Sequence, residues 1–255
     1  MNQLNVNLPE LPYAVSEAMN RLRINIKFCG KNTRKILLTS CQPNEGKSTI
    51  SSYLWKMLAE AGFPTVLVDV DLRKSVMKTR FQMDYDDDTT MGLNHYLSGM
   101  AEYEDVIYST NIPNGYMVPC TQLLENPSAL LEDVRFKELL NPLSENYRFV
   151  IIDSPPLGSV ADGALIASLC DGAVLVVRAG TTPRTLIKQS LYEIQQSGCK
   201  LLGTVLNRAD VKGRAYGKYG YGKYGYGYGY GYGYEPKDKK NSSDSAAADK
   251  NSTGK

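Results

Sequence analysis

Five runs of aliphatic residues limit what this chain can fold into: KILLT (35–39), TVLVDVD (65–71), RFVIID (148–153), GAVLVVRA (172–179) and KLLGTVLN (200–207). They lack the polar alternation of a strand with one wet face, so each reads as a strand buried on both sides. A further short run, GYMVP (115–119), fits the same class. Helical patterns separate the strands. Val15, Met19, Leu22 and Ile26 recur at helical spacing from Tyr13 onward, and further helices are predicted from about Ser48 to Ala61, 92 to 98, Ser128 to Leu140, Asp162 to Leu169 and 183 to 196. Strands alternating with helices predict an α/β, doubly wound, mostly parallel sheet in three layers, whose ligands bind outside the carboxyl ends of the strands.

The last part of the chain obeys different rules. YGKYGYGKYGYGYGYGYGY, residues 216 to 234, holds nine of the eighteen tyrosines, interleaved with glycine. Alternate glycines leave backbone entropy uncompensated by any contiguous apolar face, so the segment from 211 to 255 is expected to be a disordered tail. The remaining 210 or so residues suffice for one large core. A formal charge of +2, with basic and acidic residues interleaved, selects no polyanionic partner, and no nucleic acid is expected. Five scattered cysteines, never paired as C-x-x-C, argue against a disulfide framework or zinc site and fit a reducing cytosol. No apolar run approaches the ~20 residues of a membrane span. The expectation is a cytoplasmic protein held at any membrane by a partner.

Chemistry concentrates after three strands. KILLT leads into SCQPNEGKST, where GKS at 46–48 opens an apolar helical run. This is the layout of a P-loop: backbone N–H groups and a helix N-terminus face an anion, Lys47 reaches phosphate oxygens and the Ser48 hydroxyl can ligate Mg²⁺. The loop residues Gln42, Pro43, Asn44, Glu45, Gly46, Lys47, Ser48 and Thr49 are the candidate nucleotide contacts, with Cys41 standing where the general pattern has glycine. TVLVDVDLR presents Asp69 and Asp71 at alternate positions, hence facing the same way. FVIIDSPP presents Asp153 in the place of a Walker B aspartate. Cys41 is also a candidate redox-sensitive thiol, since N–H dipoles stabilise a thiolate. His95, Tyr53 and Trp55 read as structural, and DYDDDTT (84–90) as a solvated loop.

SCQPNEGKST, VLVDVDLR and VIIDSPP resemble, in order, the Walker A, A-prime and Walker B motifs of the bacterial tyrosine kinases (BY-kinases) of capsule and exopolysaccharide synthesis. A separate chain without spans is similar to the split, CpsD/CapB type. The resemblance implies ATP and Mg²⁺ as cofactors and a kinase domain over 35–210. It implies Ser48, Asp153 and one acid of the A-prime motif at the metal, with the other acid as base: Asp71 is taken as the metal contact and Asp69 as the base, the reverse assignment staying open. Asn207 resembles the adenine-contacting asparagine of the wider superfamily, or ends its strand as a turn residue. Arg73 suits either transition-state charge or a structural ion pair. The nine phosphoacceptors would be Tyr216, Tyr219, Tyr221, Tyr224, Tyr226, Tyr228, Tyr230, Tyr232 and Tyr234. The family also implies a membrane-protein activator acting through its cytoplasmic C-terminal segment, a cognate tyrosine phosphatase, and protein substrates in polysaccharide synthesis. It further implies a homo-oligomeric ring, an octamer by family likeness, held by the leading helix within residues 1–34. There EAMNRLR offers Glu17, Arg21 and Arg23, but Asn20 replaces the family's first arginine. The rival is a MinD/ParA-like ATPase switch with a Gly-Tyr interaction tail; its signature lysine would stand where this chain has Gln42.

Overall fold

The computed structural model describes residues 3–86, 89–158 and 162–209. The tyrosine cluster and its nine candidate acceptors lie outside them. In chain order the elements are β1 (Gln3–Leu4), α1 (Tyr13–Lys27), β2 (Lys35–Ser40), α2 (Lys47–Glu60), β3 (Thr65–Asp69), α3 (Met77–Arg80), α4 (Leu93–Leu97), β4 (Tyr108–Thr110) and β5 (Gly115–Val118). They continue with α5 (Ser128–Glu132), α6 (Val134–Asn146), β6 (Phe149–Asp153), α7 (Asp162–Ser168), β7 (Gly172–Arg178), α8 (Arg184–Gln196) and β8 (Leu201–Asn207).

All eight strands form one sheet in the order β1-β4-β5-β3-β6-β2-β7-β8. Every pairing is parallel except β4 with β5. The five long runs occupy the sheet from β3 to β8, and four of them are buried on both faces as their composition requires. The exception is β8, an edge strand with Leu201 and Leu206 exposed.

Successive strand residues feed opposite cores. Leu37, Val66, Val68, Val150, Ile152 and Leu175 meet Phe136, Leu139 and Leu143 of α6 on one face. Ile36, Leu38, Leu67, Ile151, Val174 and Val176 meet Leu54, Trp55 and Leu58 of α2 on the other, where Met19 and Ile26 of α1 also bury. Each fully buried aliphatic side chain of this kind contributes roughly 1.5–3 kcal/mol.

Three local departures from the sequence pattern have physical causes. The single helix expected from Ser128 to Leu140 is two: Asp133 adopts an extended ψ of 150° and its carboxylate accepts from Arg135 N, restarting the chain as α6. The third strand ends at Asp69, before Asp71, because the chain turns there, with Leu72 N donating to Val70 O and Asp71 N to the Asp69 carboxylate. Strands β1 and β4 were too short to leave a periodic signal.

Candidate active site

The phosphate loop joins β2 to α2 at the carboxyl edge of the sheet. Gly46, the N-cap of α2, has φ 95° and ψ 17°, a left-handed conformation that glycine alone adopts without strain. Asn44 shares the left-handed region at φ 64°, tolerable for asparagine. Within the loop the buried Glu45 carboxylate turns inward: Oε2 accepts from Cys41 N at 2.7 Å and Gln42 N at 2.9 Å, and Oε1 accepts from the Thr182 hydroxyl after β7. Asn207 at the end of β8 donates its amide to the Glu45 carbonyl at 2.8 Å. Two of the residues expected at the nucleotide, Glu45 and Asn207, thus also brace the loop.

Lys47 reaches out of α2 into a cluster of acid. Its Nζ stands 3.1 Å from Asp71 Oδ2, 3.2 Å from Asp153 Oδ2 and 3.2 Å from Ser48 Oγ. Burial alone would lower the Lys47 ammonium; the fields of Asp153, Asp71 and Asp69 outweigh it and raise it. The carboxylates meet because β3 and β6 are parallel neighbours in a register that sets Asp69 opposite Asp153. Asp153 also accepts from the Ser51 hydroxyl at 3.0 Å, and burial raises its pKa against the pull of Lys47. Ser51 was not foreseen; its signal is the helical step of four from Lys47, which puts both on one face of α2.

Asp69 is enclosed, with Ser75 Oγ donating to Oδ2 and Asp71 N to Oδ1. Burial first, and the charge of Asp153 next, push its carboxyl up to about 8. Asp71 instead lines an open cavity of about 220 Å³, together with Ser40, Pro43, Asn44, Gly46, Lys47, Ser48, Pro155 and Pro156. The half-buried Thr49 is not among the residues lining this cavity; its hydroxyl accepts from Arg80, which is, at 3.0 Å. Arg73 touches the same cavity, yet its guanidinium is committed elsewhere: Nε is 2.8 Å from Asp162 Oδ2, with further bonds to Glu125 O and Ser128 Oγ. Of the two roles open to Arg73, the ion pair is the one this structure contains.

Cys41 does not have the surroundings of a reactive thiolate, since burial raises its pKa. His95 accepts from Gly92 N at the start of α4, Trp55 donates to Thr65 O, and Tyr53 donates to Pro9 O. All three serve packing, as the sequence indicated. No three His, Cys, Asp or Glu side chains among the described residues come together as a self-sufficient metal site.

An AAA-domain family model matches residues 33–195. The tyrosine-protein kinase CpsD of Streptococcus agalactiae is 42% identical over 208 residues, covering 81% of this chain and 90% of that protein. This chain belongs to the bacterial tyrosine kinases. Among solved structures, the chimeric protein CapA2B2 superposes on this bacterial tyrosine kinase with a TM-score of 0.72 at 33% identity, over 80% of this chain and 92% of that one. The septum site-determining protein MinD of Pyrococcus horikoshii OT3, complexed with Mg-ADP, is more distant, with a TM-score of 0.57 at 26% identity over 68% and 69% of the two chains. The MinD-like alternative is therefore a remote relationship of fold. In this bacterial tyrosine kinase the leading helix places Glu17 half-buried and Arg21 exposed, while Arg23 donates from Nε and Nη2 to Asn20 Oδ1 at 3.1 and 2.7 Å. No helix among the described residues is long and apolar enough to cross a membrane.

Proposed function

We propose that this kinase transfers the γ-phosphoryl group of ATP to tyrosine phenols, including those of its own residues 216–234, and that it regulates capsular or exopolysaccharide synthesis. The observation that carries the reading is the convergence of Lys47, Asp71, Asp153 and Asp69 at the mouth of a phosphate loop. Loop amides and Lys47 bind the phosphates. The donor set also suits Mg²⁺: Ser48, Asp71 and Asp153 offer only hard oxygens, fewer than a self-sufficient cage, which matches a cation that completes its shell with phosphate oxygens and water. Bound there, Mg²⁺ would neutralise charge developing on the transferred group.

Asp69 is the assigned base: burial and the neighbouring charge of Asp153 raise the affinity of its carboxylate for a proton. The Ser75 hydroxyl on its Oδ2 is the group a phenol would replace. Asn207 lies beside the nucleotide as well as holding the Glu45 carbonyl, and Arg73 acts by fixing the segment that begins at Asp162.

Residues 1–34 supply an oligomerisation helix through Glu17, Arg21 and Arg23, 35–210 the kinase domain, and 211–255 the substrate tail. A membrane-protein activator brings the otherwise cytoplasmic chain to the membrane through its own cytoplasmic segment, and a cognate phosphatase resets the tail. Intact mass after incubation with Mg-ATP tests the activity. Additions in steps of about 80 Da are expected; phosphate release without them would make the protein an ATPase switch instead.

A further inference from the structure

The cavity beside Lys47 has a second, cationic wall that the transfer reaction itself leaves unused. Lys74, Val76 and Arg80 line it, on and before α3. Lys74 and Arg80 are exposed, and neither has a carboxylate within ion-pair distance among the described residues. Both are tied to the catalytic groups. The backbone N of Lys74 donates to Asp71 Oδ1 at 3.1 Å, and the Arg80 guanidinium donates to Thr49, the residue after Ser48. Two uncompensated cations at the rim of a pocket bind an anion, and apolar Val76, Pro155 and Pro156 beside them suit an aromatic ring.

The tail explains which anion. From Tyr224 to Tyr234 tyrosines recur at every second position, whereas Tyr216, Tyr219, Tyr221 and Tyr224 are separated by three, two and three. In an extended segment residues two apart point to the same side, about 7 Å from one another. A phosphotyrosine next but one to an acceptor therefore enters the cavity on the acceptor's own face.

We propose that Lys74 and Arg80 form a phosphotyrosine subsite that favours acceptors already modified two residues away, so that phosphorylation of 224–234 runs on from its first event. This rests on the kinase reading above. The phosphate leaves ATP for the acceptor phenol oxygen, whose proton passes to the base, and the priming phosphotyrosine undergoes no chemistry.

The test uses the full-length chain with its nine tail tyrosines replaced by phenylalanine and two peptides with one acceptor each, Gly-Phe-Gly-Tyr-Gly and Gly-phosphoTyr-Gly-Tyr-Gly. The expected result is a KM at least about fivefold lower for the primed peptide. That ratio should fall towards one in Lys74→Gln and Arg80→Gln and persist in Arg80→Lys, all with melting temperatures matching the parent. Equal KM values in the parent would overturn the subsite. So would glutamine variants that raise KM for Mg-ATP while keeping the ratio, because the cations would then serve the nucleotide. Binding of each labelled peptide with saturating Mg-ADP present separates the two readings. Preferential binding of the primed peptide without any transfer would sink the kinase assignment and leave the subsite standing, whereas equal binding would remove the subsite alone.

Discussion

Asp69 closes β3 and Asp71 lies in the turn just beyond it, and the two meet different surroundings. Asp71 faces the cavity and Lys47; Asp69 is enclosed by Ser75 and its own turn. Asp71→Asn and Asp153→Asn should each raise the Mg²⁺ concentration needed for half-maximal rate, while Asp69→Asn should lower kcat by on the order of 100-fold with nucleotide affinity nearly unchanged. An Asp69→Asn enzyme defective only in nucleotide binding would exchange the two roles. A second residue-level consequence concerns alkaline pH. Burial, helped by Asp171, pushes the Cys199 thiol from 9.0 up to about 11. Below pH 9 both folded and unfolded chains keep the proton and the contribution is intact. Between 9 and 11 the unfolded chain loses its proton first, so stability falls, by roughly 2–3 kcal/mol at pH 11. Chemical denaturation at pH 8 and pH 10.5 should show a smaller decrease for Cys199→Ala than for the parent.

At the scale of elements, the phosphate loop and the caps carry the structure's sharpest demands. A Cβ on Gly46 would stand 2.2 Å from Asn207 Nδ2, and the φ of 95° disfavours it further. Gly46→Ala should therefore cut nucleotide affinity by at least about tenfold, read by fluorescent-nucleotide titration, while the sheet stays folded. Asp133→Ala removes the cap of α6 and should cost about 1 kcal/mol in urea denaturation, with kinase activity unchanged below the transition. The capping interaction was present in the sequence as an aspartate, but the apolar spacing on either side of it reads as one helix. The long strands and the three acidic and phosphate-binding motifs were legible because burial on both faces leaves an unbroken aliphatic run, and because each motif follows such a run directly. The brace from Thr182 and Asn207 to Glu45 was not, since it joins residues that only the sheet order brings together. Ser51 was hidden for a related reason: its spacing of four from Lys47 puts it on the right helix face, but its partner Asp153 is known only once β6 is placed beside α2.

At the scale of the molecule, transfer between copies is the expected route to the tail. Taking ~5.5 Å times √n, a Gly-rich chain of the length that separates Arg208 from Tyr219 or from Tyr234 has a root-mean-square span of about 18 or about 28 Å, a length suited to a neighbour's cavity. Mixing a Lys47→Met chain with an active chain whose nine tail tyrosines are phenylalanine should label the inactive partner, and labelling absent at all concentrations with activator present would make the reaction intramolecular. Full modification adds roughly 14–18 negative charges, so light scattering should show a smaller particle after ATP. The sheet order adds a constraint in time. β2, which carries the phosphate loop, pairs only with β6 and β7, and Lys35 waits for Val150 as its register partner. On the ribosome the loop therefore has no flanking strands until most of the domain has emerged, and the Asn207 brace closes later still. A nascent chain cannot spend ATP before the strands through β7 have emerged and paired, which leaves a half-made domain no means of marking its neighbours.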